Sequence, residues 1–181
     1  MSETSISDSR TKILVIGPPQ CGKTVISNFV ADTTESTSKE YRPTKGVRIL
    51  ELENEIHEQP DKLIELWDCS GDRKYEDCWA ALRYGACGVV LVADPERCSG
   101  QDLLIWYNEF VVKTGLRPGN VMVLLFNSNQ STNDSAIADF RLPPQMSGIR
   151  TIPLNIDHDE EALRNDFNFF LAKIFKDDEE S

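Results

Sequence analysis

The sequence has no long apolar run. No stretch approaches the roughly 20 residues that a membrane-spanning helix needs. Residues 1–10, "MSETSISDSR", lack the apolar core of a secretory signal peptide and are expected to be a short disordered lead-in. Positive charge is scarce: 19 Lys and Arg stand against 30 Asp and Glu, for a formal net charge of −11. Phosphate backbones and anionic lipid surfaces repel such a chain overall, which argues against nucleic acid or membrane as a partner, although a local cationic site can still take a small anion. The five cysteines include no C-x-x-C pair and no zinc-like spacing. Their odd number favours reduced thiols in the cytoplasm. No cysteine follows Cys98 and residue 2 is Ser, so no prenyl or myristoyl group, and no direct membrane anchor, is expected.

What is present is the composition of an ordinary globular domain, with 40% apolar residues in 181. "KILVIG" (12–17), "GVVLVAD" (88–94) and "VMVLLFN" (121–127) are short apolar runs rich in β-branched residues, the pattern of strands buried on both faces. "VRILELEN" (47–54) and "KLIELWD" (62–68) alternate and flank a turn at 55–61, so they are expected to form an antiparallel hairpin at the sheet edge. "IRTIPLN" (149–155) is a weaker strand. Helices are expected over 23–32, 102–115 and 160–175; the polar, Pro-containing stretch 128–148 allows at most a short helical turn. Buried runs alternating with helices imply an α/β fold, a parallel sheet covered on both faces.

Chemistry enters with "GPPQCGKT" (17–24), which fits G-x-x-x-x-G-K-[ST] between a strand and a helix. Gly17 and Gly22 permit a tight loop, formed with Pro19, Gln20 and Cys21, whose amides converge on phosphates. Lys23 neutralises the β- and γ-phosphates, the Thr24 hydroxyl meets Mg²⁺, and Val25 is expected among the cofactor-binding residues. Downstream, "LWDCSG" (66–71) ends a strand with Asp68, able to hold Mg²⁺ through water, and Gly71, able to offer its amide to a γ-phosphate. "YRPTKG" (41–46) supplies Thr44, a second hydroxyl within reach of metal and γ-phosphate. Alone, each of the last two is an ordinary polar turn; behind a phosphate loop they form a set.

In order and spacing, these three motifs resemble the Ras-like small GTPases, most closely the Rab branch. "WDCSGDRKYEDCWAALRYGACGVVLVAD" (67–94) lies on the Rab second switch and the strand after it without a gap. The likeness implies the P-loop NTPase fold: a mostly parallel six-stranded sheet with one antiparallel edge strand and helices on both faces. The G domain is expected over 11–176, followed by an acidic tail at 177–181. By the same likeness Thr44 lies in switch I and residues 71–84 span switch II. The chain then departs from the common pattern. The guanine-reading Asn-Lys-x-Asp is "NSNQ", which keeps Asn127 but has Ser128 for the lysine and Gln130 for the carboxylate. "LNID" (154–157) replaces the later Ser-Ala-Lys loop, and Asp72 stands where a glutamine would orient the attacking water. "PTKGVRILE", "WDCSGD", Trp79 and "WY" (106–107) look like the Rab-like small GTPases of intraflagellar transport complex B.

That resemblance implies a GTP/GDP- and Mg²⁺-binding protein of the cytoplasm, the cilium or flagellum and its basal body region. It would dock on coiled-coil subunits of the transport complex, with Val47, Ile49, Tyr75 and Trp79 as exposed candidates for the contact. Asp72 would leave catalysis impaired. The alternative is an active GTPase cycling in vesicle or protein trafficking, with an arginine supplied in trans. A P-loop kinase would need several arginines over the transferred phosphate, and 128–148 offers only Arg141.

Overall fold

The computed structural model describes residues 10–33, 42–52, 62–126, 134–154 and 160–179. Its strands are β1 (Arg10–Ile16), β2 (Val47–Leu52), β3 (Leu63–Cys69), β4 (Gly88–Ala93), β5 (Val121–Phe126) and β6 (Arg150–Leu154). They form one sheet in the order β2-β3-β1-β4-β5-β6. Every neighbouring pair is parallel except β2 with β3, the antiparallel edge expected from the hairpin pattern.

The apolar runs have two-sided burial because successive side chains of a strand face opposite ways. Ile13 and Val15 of β1 join the core under α1 (Lys23–Val30) and α5 (Glu160–Glu179), with Ile26, Phe170 and Ile174. Leu14 and Ile16 join the other core, with Trp106 and Phe110. The same core holds Trp79, the first residue of α2 (Trp79–Arg83). Trp79 was expected among the exposed contact residues; it is 4% exposed, its ring 4.9 Å from that of Trp106 and 5.4 Å from that of Phe110. Burying so large an aromatic surface outweighs presenting it to water. Of the other candidates, Ile49 is exposed, while Val47 and Tyr75 are half-buried.

The helix expected over 102–115 is a composite. A 3₁₀ turn (Gly100–Leu103) leads into α3 (Leu104–Tyr107), and a π turn follows (Asn108–Val112). Ser99 and Asp102 cap its start reciprocally, the Ser99 amide donating to Asp102 Oδ2 at 2.7 Å. The wide turn lets both Phe110 and Val111 face the core, and the Thr114 hydroxyl sits within 2.8 and 2.9 Å of their carbonyls. Gly115, at φ 71°, ends the segment. The stretch 128–148 is richer than expected: α4 (Asp134–Asp139) and a 3₁₀ turn at Pro144–Met146 lie within it. The closing helix expected to stop at 175 continues to Glu179.

Candidate functional site

The parallel strands end on one edge of the sheet, where α/β folds bind ligands. Because β2 runs the other way, its start lies there too, so the loops around residues 17–24, 44–47 and 68–72 meet at that edge.

The phosphate loop is glycine-dependent at two points. At Gly17 (φ 145°) an added Cβ would lie 2.3 Å from the Val92 carbonyl oxygen; at Gly22 (φ 92°), 2.0 Å from the Phe126 ring. Both φ values also lie where side chains are disfavoured. Between them, Pro19 and Gln20 are exposed, Gln20 at φ 59°, and Cys21 is buried, its thiol donating to the Pro18 carbonyl at 2.8 Å. Burial pushes the Cys21 thiol up from its ordinary value. Lys23 opens α1 and is buried, its ammonium donating to the carbonyls of Pro18 (2.6 Å) and Gly17 (3.1 Å). Val25 follows, half-buried, in the first helical turn.

Three oxygens from distant parts of the chain converge beside this loop. Thr24 Oγ1 donates to Asp68 Oδ2 at 2.8 Å and lies 3.0 Å from Thr44 Oγ1. Asp68 is fully buried, and its Oδ1 has no hydrogen-bond partner among the described residues. Burial raises its carboxyl above the usual range, against the lowering effects of the Thr24 hydroxyl and the Arg48 guanidinium. An oxygen-only set with an orphaned carboxylate oxygen suits a hard cation such as Mg²⁺, which takes few protein ligands and fills the rest with phosphate and water. Among the described residues no cluster of three or more His, Cys, Asp or Glu could hold a metal by itself.

Gly71 lies against the phosphate loop: a Cβ there would be 2.6 Å from the Pro19 nitrogen and 2.7 Å from Lys23 Nζ. Any side chain would wedge the two apart, so glycine is required by contact. Asp72 is turned to another task. Its carboxylate accepts the Lys74 amide at 3.0 Å and pairs with Lys74 Nζ at 2.8 Å, capping the 3₁₀ turn Arg73–Cys78. Lys74 holds its carboxyl below the ordinary carboxylate value. Asn127, Ser128 and Gln130 lie outside the described residues, directly after Phe126 of β5.

Sequence reasoning missed Arg48, Asn28 and Arg97. Arg48 Nη2 donates to Asn28 Oδ1 and lies 3.4 Å from Asp68 Oδ2. Arg97 Nη1 reaches from the loop after β4 to Gln20 Oε1 at 3.0 Å. The signal for Arg48 was in the hairpin, whose register sets it opposite Asp68.

Known proteins share this architecture. The family described as Ras of Complex, Roc, domain of DAPkinase matches residues 12–130. The intraflagellar transport protein 22 homolog of Danio rerio is 38% identical, over 92% of this chain and 91% of the relative. The GDP-bound crystal structure of T. brucei IFT22 superposes with a TM-score of 0.69 at 26% identity, covering 93% of this chain and 98% of that one. The GTP-bound T. brucei IFT22/74/81 crystal structure gives a TM-score of 0.70 at 29% identity, covering 93% and 99%. On these findings the chain belongs to the Ras-like small GTPase family, in its Rab-like intraflagellar transport protein 22 branch.

Proposed function

We propose that this chain is a GTP-binding, Rab-like subunit of intraflagellar transport complex B that supports assembly of the cilium or flagellum. The observation that carries the reading is the contact of Thr44 with Thr24 beside Asp68: a hydroxyl from the loop before β2 reaches the cation end of a phosphate loop. The IFT22 structures with GDP, and with GTP and the 74/81 subunits, support it. In this reading Gly17, Pro19, Gln20, Cys21, Gly22, Lys23, Thr24 and Val25 hold the phosphates, and Thr24, Thr44 and, through water, Asp68 serve Mg²⁺. Gly71 faces the γ-phosphate, and Asn127 and Gln130 meet the base.

GTP orders the segment of Thr44 and residues 71–84, and that surface, with Ile49 at its rim, meets coiled-coil partner subunits. The G domain spans 11–176 and leads into the acidic end of α5. The protein works in the cytoplasm, in the cilium or flagellum and near its basal body, and rides on its partners rather than on lipid. Asp72, occupied as a cap, favours this reading over a fast-turning enzyme with a trans-acting activator. The test is direct. The purified chain, denatured and chromatographed, should release guanine nucleotide. Capture of the chain by its own organism's counterparts of the 74/81 pair should be stronger with GTP than GDP, and Thr44→Ala should abolish the difference. Equal capture in both states would end the switch reading.

A further inference from the structure

Arg48 of β2 stands directly opposite Asp68 of β3 in the antiparallel pair. Its Nη2 lies 3.4 Å from Asp68 Oδ2, the same oxygen that accepts the Thr24 hydroxyl at 2.8 Å, and it also donates to Asn28 Oδ1 on α1. The Asp68 side chain is wholly buried and that of Arg48 is 27% exposed. The guanidinium is thus held from two sides, by a core carboxylate and by an amide on the helix that follows the phosphate loop. A buried carboxylate without a counter-charge is costly, and the guanidinium supplies one from inside the chain.

We propose that Arg48 is a resident counter-cation for Asp68, keeping the phosphate end of the site assembled without a divalent ion and lowering the site's affinity for Mg²⁺. The inference rests on the Mg²⁺–nucleotide reading above. A divalent ion entering beside Thr24 and Thr44 meets a carboxylate already faced by a positive group, and like charges at this range repel most where water is partly excluded. Arg48 therefore acts in opposite senses on the two states. It stabilises the metal-free chain and opposes the metal-bound one. A residue that only packed β2 against α1 would weaken both on removal.

The test is Arg48→Gln, which keeps a hydrogen-bonding head and removes the charge. Two quantities are read: the thermal midpoint of the nucleotide-free chain in EDTA, and the Mg²⁺ affinity of the complex with fluorescent GDP, from the Mg²⁺ dependence of its dissociation. The midpoint should fall while Mg²⁺ affinity rises by roughly tenfold, the effect of one nearby unit charge on a divalent ion in a partly screened site. An unchanged midpoint, or Mg²⁺ affinity unchanged or weaker, overturns the proposal. If the wild type binds no guanine nucleotide, the functional reading fails by itself, and calorimetric titration of Mg²⁺ into the nucleotide-free chain still reads Arg48. If Arg48→Gln does not fold, Arg48→Met keeps the packed stem without the charge, and Mg²⁺ affinity should rise there too; no rise overturns the proposal.

Discussion

Replacing Lys23 by alanine tests the phosphate end of the site where its geometry is most exact. The ammonium serves two carbonyls, Pro18 at 2.6 Å and Gly17 at 3.1 Å. A bound phosphate must compete with those carbonyls. The ammonium is charged in both arrangements, so its bonds to the carbonyls are charge-assisted too, and binding adds chiefly the charge of the phosphate. A gain equal to one such charged contact is about 1.5–3 kcal/mol, or roughly 10- to 160-fold in affinity. With Lys23 assigned to the outer phosphates in the proposed function, the loss should be larger for GTP than for GDP. Titration with fluorescent analogues of both nucleotides measures it, with Lys23→Met as a variant that keeps the buried stem. Unchanged affinity in both variants would mean that Lys23 only closes the loop on itself and that the phosphates lie elsewhere.

Gln130→Asp should restore a charged acceptor for guanine and raise the preference for GTP over ATP by about 10- to 100-fold, following the gap between charged and neutral hydrogen bonds; no change in competition by ATP would show that other groups read the base. Intrinsic GTP hydrolysis should be slow, because the Asp72 carboxylate is engaged by Lys74 and cannot both donate and accept around an attacking water. Single-turnover assays on the wild type and Asp72→Gln check this, and turnover by the wild type alone within seconds would refute it. Trp79→Ala should cost about 3–5 kcal/mol in denaturant unfolding, as large aromatic truncations in packed cores do; a loss under about 1 kcal/mol would mean that α2 is not anchored by this ring. The Glu65 carboxyl is held below its ordinary value by Arg10 (2.6 Å) and by the Trp67 indole (3.0 Å). Its stabilising effect is therefore complete above the unfolded-state value and lost as pH falls through the lowered one. Glu65→Gln should flatten the acid limb of the stability profile between those two values, and an unaltered limb would exclude the contribution.

The parts of the fold that could be read from the sequence are those set by local pattern. β4, β5 and the Ile13–Ile16 part of β1 are buried on both faces and so are apolar, and the phosphate loop needs glycine at 17 and 22, where φ is positive and a neighbour comes too close. The parts that could not be read depend on what the chain meets. Trp79 follows a polar turn and looks outward in sequence, but Trp106 and Phe110 lie beyond the reach of any local pattern. The π turn at Asn108–Val112 leaves the helical spacing of apolar residues almost unaltered, so periodicity does not report it. Arg48 is a charged residue in an alternating strand, the ordinary mark of a solvent face; only the cross-strand register puts it beside Asp68. Thr44 and Asp68 were legible as a site only because a phosphate loop precedes them.

The contact of Gly22 with Phe126 has a bearing on how this chain can vary. A Cβ at position 22 would sit 2.0 Å from the Phe126 ring, and Phe126 is the last residue before the "NSNQ" segment. In the proposed function position 22 belongs to the phosphate loop and position 126 leads into the segment assigned to the base, so the two ends of the proposed site share one steric allowance. A bulkier residue at 22 can be accommodated only if the ring at 126 is given up, and loss of the ring leaves a void beneath the phosphate loop. The Phe126 ring thus couples the shape of the loop at 17–24 to the end of the strand that leads into "NSNQ".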